Sequence, residues 1–504
     1  MELLKASCSS IDEITRRTCV YPKYSGNMDT ETLKSLNLIK KEIKKEYKSL
    51  RNRLQSIIWD HQFLTTYVIP TFPDYPLVPN ERCGLWYCNP ESFGQTSYFK
   101  STDGHINQWD FSTRRLNFHL LPSIAQHGGI VIVDSTRRGK KIPDALSKTI
   151  PVWCAVINTL ILEASNRSEE VLFCPPGTVP QSEYDRIKDR IPSLVEKLKN
   201  LGIVSGDELL KQFGGKILRP LWVYPGSSLF SSSTDIFTGK QARSQKWEKP
   251  EDQDFLPVIL CTASYQCQDG VDKRYGFTYV QGAADDHELW AEGLTPDMFW
   301  DNKNFLGDET KSEQELIEYV NKQKREATER TKKASGNDLN QCFSVDAITK
   351  ELHLGTVVDG LELNEKLLSQ LDSRYALTVV LSESVKIASI QENPNTKIYP
   401  LTSGSKKSSK ELRSKLIEIC PLIQASLNSP LPILICCNTG KDMSVGVLLA
   451  TLCQNYEEDW CIGSPNSFNK TIIRKHLTRL ISHLKGRNVN PSRATLNSVN
   501  AYLM

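Results

Sequence analysis

The chain has 504 residues, 39% of them apolar, enough to bury two or three cores in a protein of ordinary globular composition. Its formal charge of +3 excludes RNA binding by bulk charge and confines any such contact to local basic patches. Fourteen cysteines without a C-x-x-C pair fit neither a zinc ribbon nor a secreted disulfide framework, residues 1–5 do not read as a signal peptide, and the longest apolar run, 150–162, is too short to span a bilayer. The expectation is a protein of the reducing cytoplasm or nucleus, with no membrane association.

In chain order, residues 30–58 come first. Leu33, Leu36, Ile39, Ile43, Tyr47, Leu50, Leu54 and Ile57 recur at helical spacing, with Lys and Arg on the other faces, which predicts one long basic amphipathic helix. It is either a contact for RNA backbone or a solvated lysine face on a packing helix. Residues 101–105 read as a turn, and Asp103, His105, Arg114 and Arg115 either line a site or are structural. Residues 130–133 read as a short buried strand ending in Asp134, followed by Ser135, Thr136, Arg137, Arg138, Gly139, Lys140 and Lys141 and a helical pattern carrying Lys148. Ligands of open α/β sheets gather at such strand ends. Hydroxyls, glycine and cations suit phosphate or pyrophosphate oxygens, and Asp134 or Asp144 could hold Mg²⁺ or accept a proton. The plainer alternative is a basic loop that only touches RNA phosphates.

Residues 226–254 are rich in Ser, Lys and Gln and read as a mobile insertion. Residues 257–264 and 275–280 read as strands, and 281–288 as the opening of a helix whose Asp285 and Asp286 either serve the dipole or hold Mg²⁺. Residues 301–340 are almost wholly polar, a helical linker. The domain reading is therefore 1–300, a linker at 301–341 and a second domain at 342–504. In the second, strand candidates at 354–358, 376–381 and 433–437 alternate with helices, and helices at 472–485 and 493–504 carry a second basic patch of Arg474, Lys475, Arg479, Lys485, Arg487 and Arg493.

The most informative stretch is the apolar run 433–437, which leads into Asn438-Thr439-Gly440-Lys441-Asp442-Met443-Ser444 and an apolar helical segment. Strand, tight loop and helix N-terminus together aim backbone N–H groups and a dipole at one point, which suits a phosphate. A nucleotide P-loop would need glycine at position 435, which is Ile435. The cysteine-phosphatase pattern H-C-x-x-G-x-x-R-S/T is met at Cys437, Gly440 and Ser444, but its histidine is Cys436 and its arginine Met443. No aspartate lies between Asp372 and Asp442 to act as the usual upstream acid. The loop reads as a phosphatase-like cradle that has lost hydrolysis.

Four segments, GGIVIVDSTRRGKKIPDALSKTIPVWCAVIN (128–158), YVQGAADDHELWAEGLTP (279–296), CCNTGKDMSVGV (436–447) and PSRATLNSVNAYLM (491–504), resemble in order the fungal and plant initiator tRNA phosphoribosyl transferases. The resemblance runs from about residue 14 onward. The fold class expected is α/β: an N-terminal α/β (α+β) domain specific to the family plus a C-terminal dual-specificity-phosphatase-like α/β domain. The resemblance implies a pentosyltransferase that moves a 5-phosphoribosyl group from phosphoribosyl pyrophosphate to the 2′-OH of adenosine 64 in the T stem of initiator methionine tRNA. That marks the tRNA for initiation and excludes it from elongation. Mg²⁺ is expected on the pyrophosphate, and no protein partner is expected. On that reading Cys437, Asn438, Thr439, Gly440 and Ser444 cradle a phosphate, Lys441 supplies a point charge and Asp442 is the best-placed base. The 134–148 loop completes the site or clamps the tRNA, and Cys437 is inert. The rivals are a non-catalytic RNA-binding pseudophosphatase and an active cysteine phosphatase, the latter opposed by the missing arginine and acid.

Overall fold

The computed structural model describes residues 30–102, 107–113, 115–230, 246–251, 254–333, 338–388, 393–463, 468–484 and 489–504. The chain divides into two units, Met1–Glu46 and Tyr47–Met504. Of the first, the described part belongs to helix α1 (Thr30–Lys48), whose Lys40, Lys41, Lys44 and Lys45 are exposed.

The single helix expected at 30–58 is two helices. Ser49 takes extended backbone and its hydroxyl accepts from Asn52 N–H, so α2 (Leu50–Phe63) starts afresh. The cause lies far along the chain: Glu313 Oε1 accepts from Leu50 N–H at 2.7 Å, and Oε2 from Arg51 N–H and Ser49 Oγ at 2.8 Å each. A carboxylate there satisfies orphan donors and the positive end of the dipole together.

The N-terminal sheet is built from β1 (Leu77–Pro79), then α3 (Leu120–His127), β2 (Ile130–Asp134), α4 (Ile150–Ala164), α5 (Gln181–Lys199), α6 (Gly206–Phe213), β3 (Ile217–Val223) and β4 (Phe255–Thr262). Its strands run parallel in the order β1-β2-β4-β3. Both faces are covered, as a parallel sheet requires. Ile130 and Ile132 enter a core with Val156, Ile157 and Leu160 of α4, while Val131 and Val133 enter another with Leu54 and Ile57 of α2. Together with the π turn before it, α4 gives an apolar helix of 20 residues that meets the length for a membrane span, but it is 83% buried and serves as the core helix of this domain.

After β4 comes a hairpin, β5 (Val271–Arg274) with β6 (Phe277–Val280). The helix expected to open at 281 is instead a series of turns, with Asp286 at φ +51° and a single 3₁₀ turn at His287–Leu289. Of the insertion expected at 226–254, residues 231–245 and 252–253 lie outside the described residues. Its far edge is docked, since Trp247 N–H donates to Thr71 O at 2.8 Å and its ring packs against Phe72 and Tyr75. The segment expected to be a linker is helical, α7 (Glu313–Lys333), but Leu316 and Val320 are completely buried in the α2 core. Two apolar residues one turn apart are enough to make its first half part of the N-terminal domain.

The C-terminal domain comprises β7 (Phe343–Ala347), β8 (Leu352–Val357), α8 (Glu365–Arg374), β9 (Leu377–Leu381), β10 (Thr396–Tyr399), α9 (Lys406–Ser426), β11 (Ile433–Cys437), α10 (Met443–Asn455), α11 (Lys470–His483) and α12 (Arg493–Leu503). The sheet order is β10-β9-β11-β8-β7, parallel except for β7. β11 is central, with Ile433, Ile435 and Cys437 facing the core under α9 and α10, and Leu434 and Cys436 facing that under α8.

Candidate functional site

Cys437 ends β11, and the loop turns back over it. Gly440 has φ +60°, a conformation that favours glycine, and its N–H donates to Cys437 Sγ at 3.2 Å. The Ser444 hydroxyl lies 3.1 Å from the sulfur, Ser403 at 3.5 Å and Thr439 at 3.7 Å. Burial raises the thiol pKa, but the Ser403 and Ser444 hydroxyls outweigh it and hold Cys437 below its ordinary value. Cys436, on the other face, has its thiol pushed well up by burial. Met443, at the phosphatase arginine position, is completely buried in the core.

Asp442, expected as the base, is only 6% exposed. Its Oδ1 accepts from Ser492 N–H at 2.9 Å and Thr495 Oγ1 at 2.6 Å, and its Oδ2 accepts from Gly404 N–H at 3.0 Å. The carboxylate therefore clasps the loop to the start of α12. A side chain holding three donors is arranged for positioning, which is a different part from the base expected of Asp442.

Lys441 turns outward. With Thr439 it lines a cavity of about 580 Å³ whose other walls include Glu81, Gln95 and His119 from the N-terminal domain and Ser344 and Asp346 from β7. Lys441 Nζ stands 3.9 Å from Glu81 Oε1, which also accepts from Thr96 Oγ1 at 2.9 Å. His119 Nε2 meets Thr96 O at 2.8 Å, and burial holds its pKa below the ordinary value. Gln95 Oε1 is buried without a hydrogen-bond partner. The domains are also joined by Arg115 Nε to Asn490 Oδ1 at 3.3 Å and Thr478 Oγ1 to Thr113 O at 3.4 Å. Sequence reading missed Glu81, His119 and Asp346, which sit in no motif. It also missed Asp359, whose Oδ1 accepts from Asn438 Nδ2 at 2.9 Å and from the Ser384 hydroxyl. Asp359 lies upstream of the aspartate-free stretch between Asp372 and Asp442.

The β2 strand end is organised differently. Asp134 is fully buried: Oδ1 accepts from Cys83 Sγ and Ser135 N–H, each at 2.8 Å, and Oδ2 from Asn80 Nδ2 at 3.0 Å and Arg82 Nε at 3.3 Å. Arg82 also meets Asp285 at 3.0 Å, and Arg137 pairs with Asp285 at 3.3 Å and with Asp286. Burial works against the Arg82 charge, but Asp134 and its neighbours hold its pKa above the ordinary value. Gly282 lies so close that a Cβ would come within 2.6 Å of Thr136 O. Ser135 and Thr136 are buried, with Ser264 Oγ donating to Thr136 O at 3.0 Å. Lys140 and Lys148 pair with Asp144, and Lys148 with Glu183 at 2.8 Å. Arg138, Gly139 and Lys140 line an open surface hollow with Gln266 and Gln268.

The metal pair expected at Asp285 and Asp286 is thus an ion-pair partner of Arg82 and Arg137. Among the described residues no group of three His, Cys, Asp or Glu side chains could hold a metal ion. These residues do not fit a protein-held Mg²⁺. Asp103, His105 and Arg114 lie outside the described residues, whereas Arg115 stacks its guanidinium 3.5 Å above the Tyr98 ring. Residues 80–83 connect the two strand ends: Asn80, Arg82 and Cys83 bind Asp134, while Glu81 faces Lys441.

Residues 43–325 match the family model described as the Rit1 N-terminal domain, and residues 395–503 the one described as the Rit1 DUSP-like domain. The chain is 55% identical over 504 residues to the tRNA A64-2′-O-ribosylphosphate transferase of Saccharomyces cerevisiae, covering 95% of this chain and 96% of that relative. It is 44% identical over 256 residues to an uncharacterized protein of Schizosaccharomyces pombe, covering 50% and 52%. The expected fold class holds, with a family-specific N-terminal domain ahead of a phosphatase-like one, and the chain belongs to the Rit1 family.

Proposed function

We propose that this chain transfers a 5-phosphoribosyl group from phosphoribosyl pyrophosphate to the ribose 2′-OH of adenosine 64 in initiator methionine tRNA. The observation that carries the reading is the 55% identity over 95% of the chain to a tRNA A64-2′-O-ribosylphosphate transferase. The β11 loop supports it, because such an enzyme binds a phosphate without attacking phosphorus. Cys437 is buried and the clamping arginine is replaced by the core residue Met443.

In the reaction the 2′-oxygen attacks the anomeric carbon, the bond to pyrophosphate breaks, and pyrophosphate leaves with the electron pair. The 2′-OH proton passes to a base. Lys441 and the N-terminus of α10 behind it hold the donor 5-phosphate, and the cavity brings donor and acceptor together. Glu81, facing Lys441 across that cavity, takes the proton, while Asp442 positions the loop. A Mg²⁺ bound to the pyrophosphate would help neutralise the leaving group, and no protein residue is assigned to hold it.

The test uses the purified protein, initiator and elongator methionine tRNAs, Mg²⁺ and donor labelled in its ribose. Label entering initiator tRNA at one nucleotide, and failing to do so with Glu81→Gln, supports the reading. No label with the wild-type protein sinks it.

A further inference from the structure

The second basic patch of the sequence is not uniform in the structure. Lys475 is ion-paired to Glu458 at 2.7 Å, and Arg479 donates to Glu458 O at 2.8 Å while lying over the Trp460 ring. Lys470 and Arg474 of α11 and Arg493 of α12 behave differently. They line a groove of about 310 Å³ between the two helices, together with Asn497 and Asn500, and no carboxylate lines it. Among the described residues none of these three cations forms an ion pair, and all three are exposed.

We propose that this groove holds backbone phosphates of the RNA acceptor. The inference rests on the reading that the acceptor is RNA. A-form duplex is recognised through phosphates and 2′-hydroxyls rather than base edges, and a hollow presenting three cations and two amides to the solvent matches that chemistry. The groove is also tied to the transfer site. Asp442 accepts from Ser492 N–H, beside Arg493, and Asn490 N–H donates to Lys441 O at 3.1 Å. A phosphate gripped by Arg493 is thereby set in a fixed relation to Lys441. The groove positions RNA and takes no part in the chemistry.

Anisotropy of fluorescent initiator tRNA, titrated with the full-length protein at several salt concentrations, tests this. Arg474→Glu weakens binding by about tenfold or more, and Lys470→Ala/Arg474→Ala/Arg493→Ala makes the plot of log affinity against log salt shallower by about one for each side chain removed. Arg474→Lys keeps most of the affinity. The control Lys366→Ala/Lys386→Ala, two exposed lysines outside the groove, changes neither quantity. In transfer assays the groove variants raise KM for tRNA and leave KM for the donor unchanged. A thermal melt checks that the exposed Arg474 can be reversed without unfolding. Wild-type binding with unaltered affinity and slope in the groove variants overturns the groove and leaves the transferase reading intact, as does an equal loss in the control. Absence of wild-type tRNA binding overturns both.

Discussion

Two strand ends of this molecule look alike in sequence and handle charge in opposite ways. β2 delivers Asp134 into Ser135 to Lys140, and β11 delivers Cys437 into Asn438 to Ser444. Each is a buried parallel strand followed by hydroxyls, a cation and a glycine at positive φ, Gly139 at +74° and Gly440 at +60°. At β2 the charges neutralise one another, through Arg82 with Asp134 and Asp285 and Arg137 with Asp285 and Asp286. At β11 the acid turns away to clasp α12, and Lys441 is left half-exposed over a cavity. A basic loop at a strand end is therefore not by itself a phosphate site. What decides is whether its cations are tied into a close network of carboxylates, as Arg82 and Arg137 are, or left half-exposed over a cavity with one loose partner, as Lys441 is with Glu81 at 3.9 Å.

The contrast breaks most severely at Arg82. Arg82→Ala leaves buried Asp134 without its counter-charge and costs about 3–5 kcal/mol, read as a lower urea midpoint. A loss below about 1 kcal/mol would mean the network is not structural. Next is His476, buried in the C-terminal core, where Trp460 Nε1–H donates to its Nδ1 at 3.2 Å. Burial pushes its pKa from 6.5 down to about 4. The unfolded chain therefore takes up a proton that the folded one refuses, so the contribution is complete above pH 6.5 and is lost as pH falls toward 4. The loss is on the order of 3 kcal/mol, and melting across that range should flatten in His476→Asn. Lys441→Ala comes third, raising KM for the donor about tenfold with an unchanged urea midpoint. Arg137→Ala, on the closed side, leaves that KM unchanged. Smallest is Cys437→Ser, which keeps transfer within about threefold, and abolition of transfer with fold and donor affinity intact would make the thiol catalytic.

The strand, loop and helix around Cys437 were legible because a central parallel strand must be apolar on both faces and because Gly440 marks the turn. The role of Asp442 was not, since its partners Gly404, Ser492 and Thr495 lie 38, 50 and 53 residues away and are types found in any loop. The ion-pair partners of the acids at 285 and 286 are hidden from the sequence for a related reason. Carboxylates at a helix start and carboxylates facing guanidinium groups look the same in one sequence, and Arg82, 203 residues distant, decides between them. Glu81 and His119 carried no signal because the cavity they line forms only where the two domains meet.

Glu313 closes the first turn of α2 across 263 residues of chain. On a ribosome adding roughly 5–20 residues per second, that carboxylate follows the amides it caps by on the order of tens of seconds. Throughout that interval α2 has its first donors open and its Leu54 and Ile57 face without Leu316 and Val320. The α2 side of the N-terminal core is thus completed only when α7 emerges, long after the sheet it packs on.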